Sequence, residues 1–206
     1  MPPASSRPSP TLDNPAEPAS LAGMIRRWAL RIILTGAATA ILAAAAWHLY
    51  LTQVWYHRFD TEISAAAMRY GVAMELVSAV IWRESRFDPE RVGTAGELGL
   101  MQITTGAAAE WVHAEGMNAL PPDMLLNPQT NICAGTWYLA RALSRWDRKD
   151  DPVAYALAEY NAGLSNVRRW EAANADGTST GFRNAITYPG TRQYVESIIR
   201  RYRGRD

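Results

Sequence analysis

One cysteine, Cys133, stands in the whole chain, so no intrachain disulfide can form. It lies in an apolar stretch with no base beside it, and reads as a small buried hydrophobe rather than a nucleophile. Histidine is almost as scarce. His48, His57 and His113 have no metal-ligand spacing, so no metal site is expected. There is no glycine-rich phosphate loop, and no organic cofactor is expected. Charge of one sign is missing too: the formal net charge is only +1, which argues against nucleic acid as a partner. Arg200, Arg201, Arg203 and Arg205 are a local exception, and read as the solvated, dipole-favoured end of a last helix.

Formal charge is absent from one long stretch, Ile32 to Leu51. At 1.5 Å per residue its length matches the roughly 30 Å hydrocarbon core of a bilayer. Arg26, Arg27 and Arg31 precede it, and the positive-inside tendency puts the N-terminus in the cytoplasm. Trp28 at one end, and Trp47, Tyr50, Trp55 and Tyr56 at the other, are the residue types of a membrane interface. Residues 26–53 are therefore read as a transmembrane anchor in the inner membrane, with the rest of the chain in the periplasm. The alternative is a signal segment cleaved after the alanines that end at Ala46, which releases the domain to the periplasm. Before the anchor, residues 1–25 are rich in proline, serine and alanine, and read as a disordered cytoplasmic tail.

The exported part, residues 59–206, reads as mainly helical. Helices are expected over Asp60–Tyr70, ending at Gly71, and over Ala73–Ser85. A glycine-rich connection, Gly93 to Gly99, follows, with at most a small β-hairpin around Gly93–Thr104. Asn127-Pro128 looks like a cap with proline in the first turn, opening a helix to about Trp146. Asp151-Pro152 repeats the device for a helix that ends near Gly163. A short helix is expected over Val167–Trp170 and a last one over Thr191–Tyr202.

One residue contradicts its surroundings. On a helical wheel with Leu76 at 0° and about 100° per residue, Val80 falls near 40°, Val77 near 100° and Ile81 near 140°. Glu84 falls near 80°, the middle of that apolar face. Burial and the negative end of the helix dipole both favour its protonated form. A neutral carboxyl near neutral pH is what a general acid requires. The same pattern also fits a buried glutamate satisfied by backbone groups or an arginine, and the wheel by itself leaves both readings open.

Five motifs in order add to it: Glu84-Ser85; Gly99-Leu100-Met101-Gln102, which opens fifteen residues after Glu84; Asn127-Pro128 with Asn131-Ile132, Gly135 and Tyr138-Leu139; Ala158-Glu159-Tyr160-Asn161-Ala162-Gly163; and Tyr188, Thr191-Arg192 and Tyr194-Val195. In this order and spacing the chain resembles the soluble lytic transglycosylases, whose catalytic domains are similar to goose-type lysozyme. The resemblance covers about residues 60–203. It implies a mainly α, lysozyme-like domain, here preceded by one transmembrane helix. It implies cleavage of the β-1,4 bond between N-acetylmuramic acid and N-acetylglucosamine in peptidoglycan glycan strands, with 1,6-anhydromuramic acid ends. Glu84 is then the single acid/base, without metal or cofactor. Tyr160 is implied as a partner of the catalytic carboxyl and Asn161 as a pocket residue; Ser85, Met101, Gln102 and Tyr188 join them on the substrate side.

The chain also departs from the pattern. Gly93 stands where relatives often carry a serine that handles the sugar's N-acetyl group, Glu97 where many have alanine, and Thr104 where some have methionine. Glu97 is read as bordering the site. Two rival functions stay open: a hydrolytic muramidase that uses Glu97 or Asp88 as a second carboxylate, and a non-catalytic glycan-binding module. So do two settings, general wall turnover and partnership with cell-wall, secretion or motility machinery.

Overall fold

The computed structural model describes residues 21–204. The chain divides between Leu51 and Thr52 into two compact units. Residues 1–20 of the expected tail lie outside the described residues, as does Arg205. Of the expected tail, residues 21–25 are helical instead and belong to the first helix, α1, which runs over Leu21–His57. No proline stands between Pro18 and Pro89, so none interrupts this helix.

Through the first unit, α1 buries no residue. Ile32, Ile33, Leu42 and Trp47 stay exposed on every side of it. By length and composition it is the one helix, among the described residues, able to cross a membrane. Two hydroxyls in its apolar stretch bond to the helix's own carbonyls. Thr35 Oγ1 donates to the Arg31 carbonyl and Thr39 Oγ1 to the Thr35 carbonyl, each at 2.8 Å. Such internal bonding keeps hydroxyls tolerable in an apolar medium.

The second unit is built from α2 (Asp60–Tyr70), α3 (Met74–Ser85), α4 (Thr105–Ala114), a 3₁₀ turn over Pro122–Leu126, α5 (Pro128–Arg145), α6 (Pro152–Ala162), α7 (Leu164–Ala172), α8 (Ser179–Ala185) and α9 (Pro189–Tyr202). The centre is α6. Ala154 to Ala158 are all fully buried, which requires apolar residues all round the helix rather than on one stripe. Packed against it are α5 and α9, while α3 lies on α9 and α2 bridges α3 and α5. Tyr155 stacks on Phe182 at 3.8 Å between ring centroids and on Trp146 at 5.3 Å. Each such side chain, taken from water, contributes about 2 kcal/mol.

Local chemistry sets the helix ends. Gly71 closes α2 in the left-handed region, at φ 66°. Asn127 Oδ1 accepts from the Thr130 amide at 3.1 Å, with Pro128 in the first turn. Asp151 holds the corresponding place before α6 but does not cap through its side chain, which pairs with Arg203 Nη2 at 3.0 Å. Beyond the 3₁₀ turn, two helices are not among those expected from the sequence, α4 and α8. Thr104 and Thr178 are their caps, each hydroxyl accepting an amide three residues on, from Ala107 at 3.1 Å and Gly181 at 3.0 Å. Gly106 and Gly181 sit inside the two helices and mask the pattern.

Among the described residues there is no strand. The expected hairpin reduces to two isolated bridges, Val92 to Leu98 and Leu98 to Ile103. What fixes this loop is buried Asn131 on α5. Its Oδ1 accepts from the Met101 amide at 2.7 Å, and its Nδ2 donates to the carbonyls of Leu98 at 2.8 Å and Leu125 at 2.7 Å. Gly99, at φ 72°, passes so close that a Cβ there would lie 2.6 Å from the Leu125 carbonyl oxygen. Only glycine fits both constraints.

Candidate active site

Glu84 occupies the last turn of α3, where that helix meets α9, α6 and the loop ahead of α4. Together they line a cleft of about 420 Å³ that includes Arg83, Glu84, Arg91, Glu97, Gln102, Tyr160, Asn161 and Tyr194. Tyr194 Oη donates to Glu84 Oε1 at 2.6 Å. The carboxyl is pushed up to about 7, chiefly by burial, against the lowering effects of Tyr194, Arg83 and Arg91. The negative charge of Glu97 adds to the rise. Desolvation thus outweighs one neutral donor and two arginines, and the group is poised to give up a proton near neutrality.

The structure redistributes several of the expected roles. Tyr160 lines the cleft, but its hydroxyl donates to the Met101 carbonyl at 2.9 Å, so the phenol on the acid is Tyr194 instead. Tyr194 was legible only as part of the closing motif. Its place on α9, distant in sequence from Glu84, depends on the tertiary packing of α9 on α3.

Gln102 also lines the cleft, but does not bond to Glu84. Its Nε2 braces the loop through the carbonyls of Gly99 at 2.8 Å and Arg91 at 3.1 Å, with Gln102 itself in the left-handed region at φ 49°. Met101 and Ser85 are core residues and do not reach the cleft. The Met101 side chain is fully buried against α5, where a Cβ at Gly135 would lie 2.7 Å from the Met101 Cβ. Ser85 is buried with its hydroxyl on the Ile81 carbonyl. Both motif positions shape the site from behind.

Asn161 lines the cleft and its Oδ1 accepts from Thr191 Oγ1 at 2.8 Å, which ties α6 to α9. Tyr188 stands apart from these residues, half exposed, with its ring edge-on to Trp170 at 5.2 Å. Asp88 is exposed and does not line the cleft, whereas Glu97 does. The Glu97 carboxylate accepts from the Ala95 amide at 3.0 Å. Thr104, the other departure, lines the cleft while capping α4.

Glu159, the second carboxylate on an apolar helix face, is a different case. It is buried, ion-paired with Arg145, and accepts from Trp146 Nε1 at 2.7 Å. A carboxylate so partnered is a structural anion.

The site is thus a half-buried acid with one phenol on it, in a cleft between helices. Residues 61–180 match the family described as the transglycosylase SLT domain. The chain belongs to this family. It is 37% identical over 114 residues to the membrane-bound lytic murein transglycosylase F of Desulfosudis oleivorans, covering 54% of this chain and 23% of that one. It is 30% identical over 159 residues to the soluble lytic murein transglycosylase of Escherichia coli, covering 71% of this chain and 24% of that one. The 70 kDa soluble lytic transglycosylase of Escherichia coli superposes with a TM-score of 0.65 at 27% identity, over 71% of this chain and 24% of that one. The SLT domain here is thus mainly α and lysozyme-like. The chain spans about a quarter of the length of these relatives.

Proposed function

We propose that the protein is a peptidoglycan lytic transglycosylase with Glu84 as its single acid/base. The observation that carries this is the state of Glu84: a carboxyl pushed up to about 7 by burial, hydrogen-bonded by Tyr194 and open to a polar cleft. Family membership supplies the substrate class, since the relatives are lytic murein transglycosylases.

The chemistry follows from one acid in one cleft. Protonated Glu84 donates to the glycosidic oxygen between N-acetylmuramic acid and N-acetylglucosamine, and the C–O bond to the leaving sugar breaks. The muramic acid's own acetamido oxygen stabilises the developing cation, a recognised alternative to a second carboxylate. Glu84, now ionised, takes the proton from the muramic acid 6-hydroxyl. That oxygen bonds to the anomeric carbon and closes the 1,6-anhydro ring. Tyr194 holds the carboxyl in place through both transfers.

Glu97 favours a second reading. It lines the same cleft as Glu84, and a carboxylate there is suited to activating water, which gives a hydrolytic muramidase. In the favoured reading Glu97 instead keeps Glu84 protonated by like-charge repulsion. Mass spectrometry of glycans released from purified peptidoglycan separates the two. Anhydro ends, lighter by one water than hydrolysed ends, support the transglycosylase; hydrated ends overturn it in favour of the muramidase; no release overturns both.

The exposed apolar surface of α1 supports an anchor over residues 26–53 in the inner membrane, with the SLT domain in the periplasm on peptidoglycan. Arg26, Arg27 and Arg31 support a cytoplasmic N-terminus.

A further inference from the structure

The main chain does something costly immediately after the acid. Arg86 and Phe87 follow Glu84-Ser85, and both adopt left-handed backbone angles, φ 57° and 63°. Neither is glycine, and L-residues with a Cβ resist this conformation. Two such residues in succession persist only where their surroundings hold them. The last bond of helical type here runs from the Arg86 amide to the Trp82 carbonyl at 3.2 Å. Beyond it, the carbonyls of Arg86 and Phe87 have turned off the helix axis.

Both carbonyls are taken by side chains from one short segment distant in sequence. Trp55 Nε1 donates to the Arg86 carbonyl at 2.9 Å. The Arg58 guanidinium donates to the Phe87 carbonyl. These two side chains also brace each other, the Arg58 guanidinium lying 3.5 Å from the centroid of the Trp55 ring. The Phe87 ring is fully buried and meets Tyr56 edge-on at 5.5 Å. Around this knot Arg86 lies over the Trp82 ring at 3.4 Å, and Arg201 from α9 over the same ring at 4.6 Å. All these residues fall within the second unit.

We propose that Trp55 and Arg58 are positioning residues for Glu84: by holding the carbonyls of Arg86 and Phe87 they fix the end of the helix that carries the acid. The proposal rests on the reading of Glu84 as the acid/base, and adds residues that touch neither substrate nor the carboxyl. One residue separates Glu84 from the turn, so relaxation of the turn rotates the last helical residues. A displacement of about 1 Å at a catalytic group can cost on the order of 10²-fold in rate. Rotation also admits water to the carboxyl, and burial is the main cause of its raised pKa. The groups that face Glu84 are Tyr194 from α9, Tyr160 from α6, Arg83 beside it on α3, and Arg91 and Glu97 from the loop. None of them belongs to the segment that holds the turn.

The test uses the full-length chain in detergent. Trp55→Phe keeps a ring beneath Arg58 but removes the donor; Arg58→Leu removes the other donor, and Arg58→Lys restores one. Carbon-13 carboxyl titration, with Glu84→Gln to assign the resonance, reads the acid directly, beside kcat, KM and thermal stability. The expected result is a Glu84 midpoint lowered by about 0.5 unit or more in Trp55→Phe and Arg58→Leu, in the direction set by weaker desolvation. A fall in kcat of about tenfold accompanies it at little-changed KM, with recovery of both in Arg58→Lys. A midpoint and kcat unchanged in folded variants overturn the proposal. So does a loss of rate that follows thermal stability alone, with the midpoint unmoved. Should the wild-type chain release no glycan while the midpoint still falls in the variants, the positioning role stands and the transglycosylase reading fails.

Discussion

The carboxylate of Glu97 fills the space that a side chain on residue 93 would need. A Cβ built on Gly93 would collide with Glu97 Oε2 and stand 2.8 Å from Gln102 Oε1. Positions 93 and 97 are therefore sterically linked. A serine at 93 and a glutamate at 97 compete for the same volume on the cleft wall.

That contact predicts measurable coupling. Gly93→Ser alone should cost under about 1 kcal/mol, because what meets the new side chain is chiefly the end of the flexible Glu97 side chain, which can turn into the cleft. Glu97→Ala alone should lower the titration midpoint of Glu84, because a like charge is removed. The double variant should recover most of the stability lost in Gly93→Ser. A double-mutant cycle in denaturant unfolding measures the coupling, expected at about 0.5 kcal/mol.

Glu84→Gln should reduce glycan release by at least about 10²-fold, the lower end of general acid/base effects, since an amide cannot cycle a proton. It should also stabilise the fold in alkali. The native carboxyl, raised from 4.5 to about 7, binds its proton more tightly than the unfolded one. Stability from this group is therefore fully present below the unfolded pKa and is lost as pH rises toward 7. The loss approaches about 3 kcal/mol at most and is smaller to the extent that water reaches the group. Melting temperatures of the two proteins should converge near pH 4 and separate above pH 7, with the variant higher.

The rate itself should follow the acid form of Glu84. With substrate well below KM, kcat/KM should fall as pH rises through about 7, by up to tenfold per unit. Tyr194→Phe removes a bond that favours the charged form, so the fall should move to higher pH. It should cost about tenfold or more in kcat, the worth of a hydrogen bond to a charged group. Tyr160→Phe offers the contrast. It frees only the Met101 carbonyl, and should cost about 1 kcal/mol of stability with little change in the pH profile.

The pair Arg145–Glu159 should respond asymmetrically. Arg145→Met leaves Glu159 buried with Trp146 as its remaining donor, and should cost about 3 kcal/mol in unfolding. Glu159→Gln should cost less, because Arg145 is partly exposed and can turn to water. Product identity should not change in either.

The anchor is checked by fractionation and terminal sequencing. Retention of Arg26 and Arg27 in a protein that sediments with membranes supports the anchor. A terminus near Trp47 on a soluble protein establishes the signal segment instead.

Much of the fold was legible because the signals were local. Gly71, Asn127-Pro128 and the apolar spacing of α3 mark their boundaries by side-chain chemistry, and Glu84 was conspicuous by facing the wrong way. The illegible parts were relational. Glu84 and Glu159 both lie on apolar helix faces. What separates them is the partner set, two strong donors for one and a single phenol for the other. Motif membership misled at Met101 and Ser85 because a packing role and a binding role leave the same residue in the sequence. Tyr160 and Tyr194 each meet the requirement for a phenol near the acid, and only the crossing of α9 over α3 decides between them.

Asn131 fastens the loop behind the cleft wall entirely through main-chain atoms, namely the Met101 amide and the carbonyls of Leu98 and Leu125. A wall fastened in this manner is indifferent to what its residues carry on the open side. Side chains at 94 and 97 can be exchanged like fittings on a fixed frame, whereas Thr104 also caps α4 and position 93 is closed by Glu97. The rim of the cleft can therefore change in shape and charge without refolding the domain beneath it.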